Sequence, residues 1–158
     1  MANTQAMCTS FKGEILKATH NFGTAPIRAA TTADTFKGAL YLASATVNAS
    51  STAYSATGEV TGTNYTAGGV TVTNATAPIA TNSSSTAGVA YWTPSASITY
   101  TTVTLATAFD CVLIYNSTQS NKAVSVHTFG SQTITAGTFT LTMPSNTTTT
   151  ALLRLSTT

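Results

Sequence analysis

Apolar residues recur along this chain with two different periods. Between residues 5 and 20, Met7, Phe11, Ile15 and Ala18 fall on one stripe, with Cys8 at its edge, the spacing of one face of an α-helix. Glu14 and Lys17, acid first and three apart, add mild support, while Gly13 costs such a helix about 1 kcal/mol relative to Ala. Asn21 and Gly23 can end it. A stripe this short needs a sheet or another copy of the chain to cover it. After a loop over 21–34 around Pro26, the period becomes two. Thr35–Leu42 alternates Phe36, Gly38, Leu40 and Leu42 against Lys37, Ala39 and Tyr41, which predicts a strand. Val89, Tyr91 and Trp92 make a short strand that stops at Pro94, and Ile98, Tyr100 and Thr102 alternate with threonines as a half-buried one. Phe109–Tyr115 is the most apolar run of the second half, which predicts a central strand buried on both faces. Ala123–Phe129 returns after a turn at 116–121, a hairpin with a longer loop, with Val124 and Val126 inward and His127 and Phe129 on the other side. Thr138–Met143 puts Phe139, Leu141 and Met143 on one face and threonines on the other, and Leu152, Leu153 and Leu155 form a last strand carrying Arg154.

Strands every 10–15 residues with turn signals between them predict a mainly β fold: an antiparallel sandwich or barrel in one domain over 1–158. The N-terminal helix would cover about 5–20 and the β body about 35–158. The segments 43–53 and 76–87 read as loops. Between them lies the least ordinary stretch, 53–72, with Tyr54, Gly58, Glu59, Gly62, Tyr65 and the pair Gly68-Gly69 ahead of Val70 and Val72. It reads as a long organised loop with short strands, whose glycines allow positive φ and whose tyrosines lie across apolar surface.

Composition sharpens this picture. Charged residues are 6 % of the chain, against a usual level of about 25 %, and threonine alone makes up roughly a quarter of it. Hydrophobic content of 42 % sets it apart from a disordered tail. The six basic residues, Lys12, Lys17, Arg28, Lys37, Lys122 and Arg154, are scattered, so no stripe exists to neutralise a phosphate backbone and no nucleic-acid partner is expected. No apolar run approaches a membrane span, and the first residues lack the basic-then-apolar order of a secretion signal. Cys8 and Cys111 are expected as a pair of buried thiols rather than a disulfide.

Candidate chemistry is sparse. The carboxylates are Glu14, Asp34, Glu59 and Asp110. A glycosidase needs two flanking one bond, and with Glu14 on the solvent side of the helix the other three would meet only by accident of the fold. His20 and His127 have no Cys, His, Asp or Glu at ligand spacing, so no metal is expected. A Ser/His/Asp set using His127 and Asp110 has no specificity in a serine-rich chain, and no Gly-x-Ser-x-Gly elbow occurs. The Gly58–Gly69 run matches no phosphate-binding loop, and no cofactor is implied. Glu59 is expected to accept backbone N–H bonds from its glycine-rich neighbours or to pair with a base. The composition points instead to contact with other proteins. Uncharged Thr and Ser surfaces are buried at small desolvation cost, and edge strands without charged gatekeepers are at risk of association unless something covers them.

The segments SFKGEIL (10–16), HNF (20–22), TFKGALY (35–41), YSATGEVTGTNYTAGGV (54–70), LIYN (113–116), NKAVSVHTFG (121–130) and ALLRL (151–155), in this order, resemble a family of small virion structural proteins of tailed bacteriophages. The likeness runs through nearly the whole chain, and its 54–70 part is the most specific. The resemblance implies a protein without enzymatic role, made in the bacterial cytoplasm and built into the virion. Its place would be the capsid surface, as a decoration or cement protein that clamps capsomers, commonly as a homotrimer. Its partners would then be copies of itself and the major capsid protein, with no membrane involved. Tyr54, Glu59, Tyr65, Tyr91 and Trp92 are the expected assembly contacts, with Glu59 fixing its loop. A tail adaptor, baseplate or fibre-base part on the same framework is the alternative. A glycan-binding module using Tyr91, Trp92 and Tyr100 is the second.

Overall fold

A computed structural model describes residues 3–8, 11, 15, 19–20, 22, 33–73, 78–80 and 89–156. The chain is mainly β, with eight strands among the described residues: β1 (Ala6–Met7), β2 (Phe36–Leu42), β3 (Val70–Val72), β4 (Ile79–Ala80), β5 (Val89–Trp92), β6 (Ile98–Asn116), β7 (Lys122–Leu141) and β8 (Leu153–Ser156). They form a five-stranded antiparallel sheet in the order β1-β7-β6-β2-β3 and a three-stranded one in the order β4-β5-β8.

Four strands expected as separate elements are two. Ile98–Thr102 and Phe109–Tyr115 are the ends of β6, and Ala123–Phe129 and Thr138–Leu141 the ends of β7. The Thr- and Ala-rich joints between them lack apolar alternation, but threonine fits a pleated surface well. They stay in the ladder by bulging: the register shifts at several places between Tyr100 and Phe109 and again at Phe109/Cys111, and Thr102 and Ala136 take positive φ, which bends a strand pair. The second sheet prolongs the same pair. Ile98 faces Leu141, and beyond two loops Trp92 faces Leu153. Residues 89–156 are therefore one bent antiparallel hairpin whose tip is the turn at 117–121.

That bend makes the core. The near half of the hairpin pairs with β2, Gly38 facing Ile114 and Leu40 facing Val112. The far half doubles back over it: Tyr100 donates its hydroxyl to the Gly38 carbonyl at 2.7 Å, and Ile98 Cδ1 lies 3.4 Å from where a Cβ on Gly38 would be. Phe36, on the same face of β2, stacks on Phe22 at 4.5 Å, and Phe22 meets Trp92 at 4.8 Å. Phe109, Phe129 and Phe139 close the bend with ring centroids 4.9–5.8 Å apart. The other face of the five-stranded sheet, carrying Tyr41, Leu113 and Tyr115, is crossed by the chain after β2. Tyr54 stacks on Tyr115 at 4.7 Å, and the Tyr41 hydroxyl donates to the Ser55 carbonyl. As the apolar run predicts, Cys111–Tyr115 is buried throughout with β2 and β7 on either side.

Two expectations need correction. Ala6–Met7, at the start of the expected 5–20 helix, is a strand paired with Ser125 and Val126; β7 offers an open edge there, and pairing satisfies the backbone better than a short, glycine-weakened helix does. Phe11 and Ile15 have helical backbone, no complete helix is defined among the described residues, and the rest of 9–18 lies outside them; Met7, Phe11 and Ile15 pack on the core. Ile79–Ala80, read as part of a loop, is a strand on β5. Cys8 and Cys111 are both buried, and no disulfide joins them.

Candidate functional site

The stretch 53–72 owes its conformation to the edge of β2. β3 pairs with Phe36–Gly38 only. Further along, the chain returns at Glu59, bridged to Tyr41, with the Val60 amide donating to the Leu40 carbonyl and the Leu42 amide to the Gly58 carbonyl. Thr63 continues the edge against Thr104 of β6. Gly62 belongs where it is because a Cβ would lie 2.0 Å from the Thr104 carbonyl oxygen. Gly69 turns the chain into β3 with φ +71°, and a Cβ there would lie 1.7 Å from the Gly38 carbonyl oxygen. The glycines of this stretch serve close approach of backbone to backbone, not a phosphate.

Between β3 and the Tyr41–Glu59 bridge the edge is interrupted, and tyrosines fill the gap. Glu59, 6 % exposed, accepts three hydrogen bonds. Tyr65 Oη (2.7 Å) and the Gly68 amide (2.7 Å) donate to Oε1, and Tyr54 Oη (2.6 Å) donates to Oε2. Tyr65 Oη in turn accepts the Leu40 amide at 3.0 Å, and Tyr115 Oη donates to the Gly68 carbonyl at 2.8 Å. Tyr65 stacks on Tyr100 at 5.9 Å as Tyr54 does on Tyr115. Four of the six tyrosines thus surround or brace one carboxylate. Its partners are hydroxyls and an amide, not a base, so the first of the two expected roles of Glu59 is the observed one, extended by phenols that sequence spacing did not reveal.

The electrostatics keep those phenols as donors. Burial first, then the hydrogen bond to Glu59, pushes Tyr54 up to about 12. Tyr65 rises further for the same reasons in the same order. Burial and the Glu59 charge raise Tyr100 and Tyr115, and burial raises Tyr41. With every phenol protonated near neutral pH and both carboxylate oxygens occupied, the cluster holds the 53–69 chain on the β2 edge. Among the phenols and the carboxylate so engaged, none is poised to move a proton to a substrate.

The other acids are also committed. Asp34, 4 % exposed, accepts from Asn116 Nδ2 at 2.8 Å and Gln119 Nε2 at 3.2 Å, and the Asn116 side-chain Oδ1 accepts from the Thr118 and Gln119 amides of the hairpin turn. The same Asn116 Nδ2 lies 3.0 Å from His20 Nδ1. Asp110 Oδ1 accepts from Asn3 Nδ2. Asp110 and Asn116 are six residues apart on β6, about 20 Å, so Asp34 and Asp110 do not form a pair of the kind glycoside hydrolysis uses. Glu14 lies outside the described residues. Among the described residues no three of His, Cys, Asp and Glu gather as a metal site.

His127 Nε2 lies 2.9 Å from Ser125 Oγ, but Ser125 is 1 % exposed, out of reach of a substrate, and Asp110 is bonded to Asn3 rather than to His127. Burial pushes the His127 imidazole down to about 4, below its ordinary value near 6.5. The unfolded chain therefore binds a proton between those limits that the native chain refuses. This contribution to stability is complete above about pH 6.5 and lost as pH falls through 4, roughly 3 kcal/mol in all. Denaturant midpoints between pH 7.5 and 4 should fall less steeply for His127→Gln than for the parent. Equal slopes would show that the imidazole is not held neutral.

Of the remaining expected contact residues, Trp92 is 2 % exposed and belongs to the core, as does Tyr100, so neither presents a ring to a sugar. Tyr91 is half-buried and lines an apolar cleft of about 230 Å³ together with Phe11, Phe22, Trp92, Leu153 and Leu155. No carboxylate lines this cleft. No described helix is long and apolar enough to cross a membrane. Comparison of this chain with protein-family models, with curated proteins and with solved structures finds no match in any of the three.

Proposed function

We propose that this chain is a structural protein of a tailed-bacteriophage virion, acting on the capsid surface as a decoration protein, and that its two packed layers form an antiparallel β-sandwich. The observation that supports the reading most is the surface. From Thr128 to Leu153 no side chain is ionisable, and much of this run is exposed. A protein that works alone in solution keeps charges on such strands for solubility and to guard its edges. One that is covered by its fellows and by the shell gains by leaving them out, because an uncharged Thr-rich surface is desolvated cheaply. The Glu59 cluster fits the same role. It stiffens the loop that crosses the sheet and does so by hydrogen bonds that need no ligand.

The mechanism is mechanical. Many weak, uncharged contacts repeated over many copies hold neighbouring capsomers together, and the repetition supplies avidity that no single contact has. The test is to add the purified protein to expanded capsid shells that lack it. Stoichiometric binding and a higher shell disruption temperature are expected, because a ligand that binds only the intact shell stabilises it by mass action. Absence of binding, together with a copy number of a few dozen or fewer in the virion, would move the chain to the tail.

A further inference from the structure

The strand edges of this fold are not treated alike. β1 and β4 have two residues each and β3 three. β8 has four and carries an exposed Arg154. Short edges and charged edges resist pairing with other chains. On β6, the side away from β7 is capped at its far half by the Thr63–Thr104 bridge and by Asn64 Nδ2 on the Thr102 carbonyl. β7 is the exception. β1 covers it at Ser125 and Val126, and the Thr52–Tyr54 backbone covers it near the hairpin turn. From Phe129 to Leu141, among the described residues, no strand lies on its outer side. These thirteen residues span a contour of about 40 Å and include neither a proline nor an ionisable group.

The last part of this edge is also regular. Tyr100 faces Phe139, Thr99 faces Thr140 and Ile98 faces Leu141 without a shift. Thr138 and Thr140 are exposed, and Phe139 and Leu141 half-buried.

We propose that the Gly137–Leu141 edge of β7 pairs antiparallel with the same edge of a second copy of this chain, about a two-fold axis near Phe139. Three features favour a second copy as the occupant. A strand paired antiparallel with itself about one of its own residues keeps its faces in phase, so Phe139 and Leu141 come beside the apolar face of the second copy, and Thr138 beside Thr140 of the second copy. The exposed face already carries a threonine row, with Thr99 Oγ1 3.5 Å from Thr140 Oγ1; pairing extends this row across the axis, and cross-strand threonine pairs are favourable. Finally, an edge with no charge has nothing with which to select a charged partner, and nothing that repels its own copy. The proposal rests on the reading of the chain as an assembling protein and departs from the trimer that the resemblance implies, since a two-fold edge gives dimers.

The test uses the full chain and the double variant T138K/T140K. Both positions are exposed, so the fold should survive, and two-fold pairing sets the four introduced lysines against one another. Sedimentation velocity over a concentration series should show a dimer for the parent and a dissociation constant raised at least about tenfold in the variant, the effect of like charges set opposite each other across strands. Thr99→Lys, on the same face but one strand in from the edge, should leave the dimer intact. A parent that is monomeric at all concentrations, a trimer, a dimer indifferent to T138K/T140K, or a dimer weakened as much by Thr99→Lys would overturn the proposal. Binding to empty shells, measured separately, distinguishes the two levels. A dimer that ignores shells keeps the edge and loses the virion reading. A monomer whose β7 amides become protected from exchange only when shells are added keeps the virion reading and gives the edge to another protein.

Discussion

Glu59→Ala should lower the unfolding free energy by about 3–5 kcal/mol, the sum expected when two phenols and a buried amide lose one shared acceptor. The Gly68 amide and Tyr65 Oη both donate to Oε1, and Gly68 is buried, so water replaces the lost acceptor poorly there. Tyr54 is half-exposed and recovers most readily. For a domain of 158 residues the loss corresponds to a melting temperature lower by about 10 °C. Glu59→Gln is the informative companion. Its carboxamide oxygen can still take Tyr65 and Gly68, while its NH₂ faces Tyr54 Oη, which can rotate to accept. The cost should shrink to about 1–2 kcal/mol, the difference between charge-assisted and neutral hydrogen bonds. Denaturant titration of the three proteins checks both steps. If Glu59→Ala unfolded at the parent's midpoint, the carboxylate would not be holding the loop, and an active role for this buried acid would have to be reconsidered.

That ranking explains what the sequence could and could not reveal. Alternation found β2, the doubly buried Cys111–Tyr115 run and the Phe139–Leu141 pattern because each has one or two consistently covered faces, and coverage is what a period of two records. It divided β6 and β7 into pieces because their Thr-rich middles, such as Thr101-Thr102 and Thr133–Thr135, change neighbours at each bulge, so no face is buried long enough to leave a pattern. The 53–72 stretch stood out by its glycines and tyrosines. Its unity did not, because Glu59 is joined to Tyr54 and Tyr65 locally but braced by Tyr100 and Tyr115, which come from the two halves of the folded-back hairpin. A contact made by a bend of β6 leaves no spacing to read. The same bend buries Tyr100, one of three aromatics that could otherwise have formed a sugar platform.

The remaining large effect concerns backbone, and it separates a glycine that the fold requires from one it merely contains. Gly69 has φ +71°, and a Cβ there would lie 1.7 Å from the Gly38 carbonyl oxygen, 2.5 Å from its carbonyl carbon and 2.8 Å from Ala39 Cα. All three obstacles are backbone of β2, which β6 holds on its other side, so no side chain can swing aside to make room. Gly69→Ala must therefore move β3 off β2 and lift Gly68 from Glu59. A loss of at least about 3 kcal/mol is expected from strain at a positive φ together with a broken buried hydrogen-bond network. Gly130 is the control. Its added methyl would meet nothing within 4 Å, and its φ is not in the left-handed region, so Gly130→Ala should change stability by no more than about 0.5–1 kcal/mol, acting mainly by stiffening the unfolded chain. Measured side by side by denaturant titration, the two substitutions differ in sequence by position alone. Equal effects would mean that the close approach of the Gly69 turn to β2, on which the placement of the whole Glu59 cluster depends, is not present in solution.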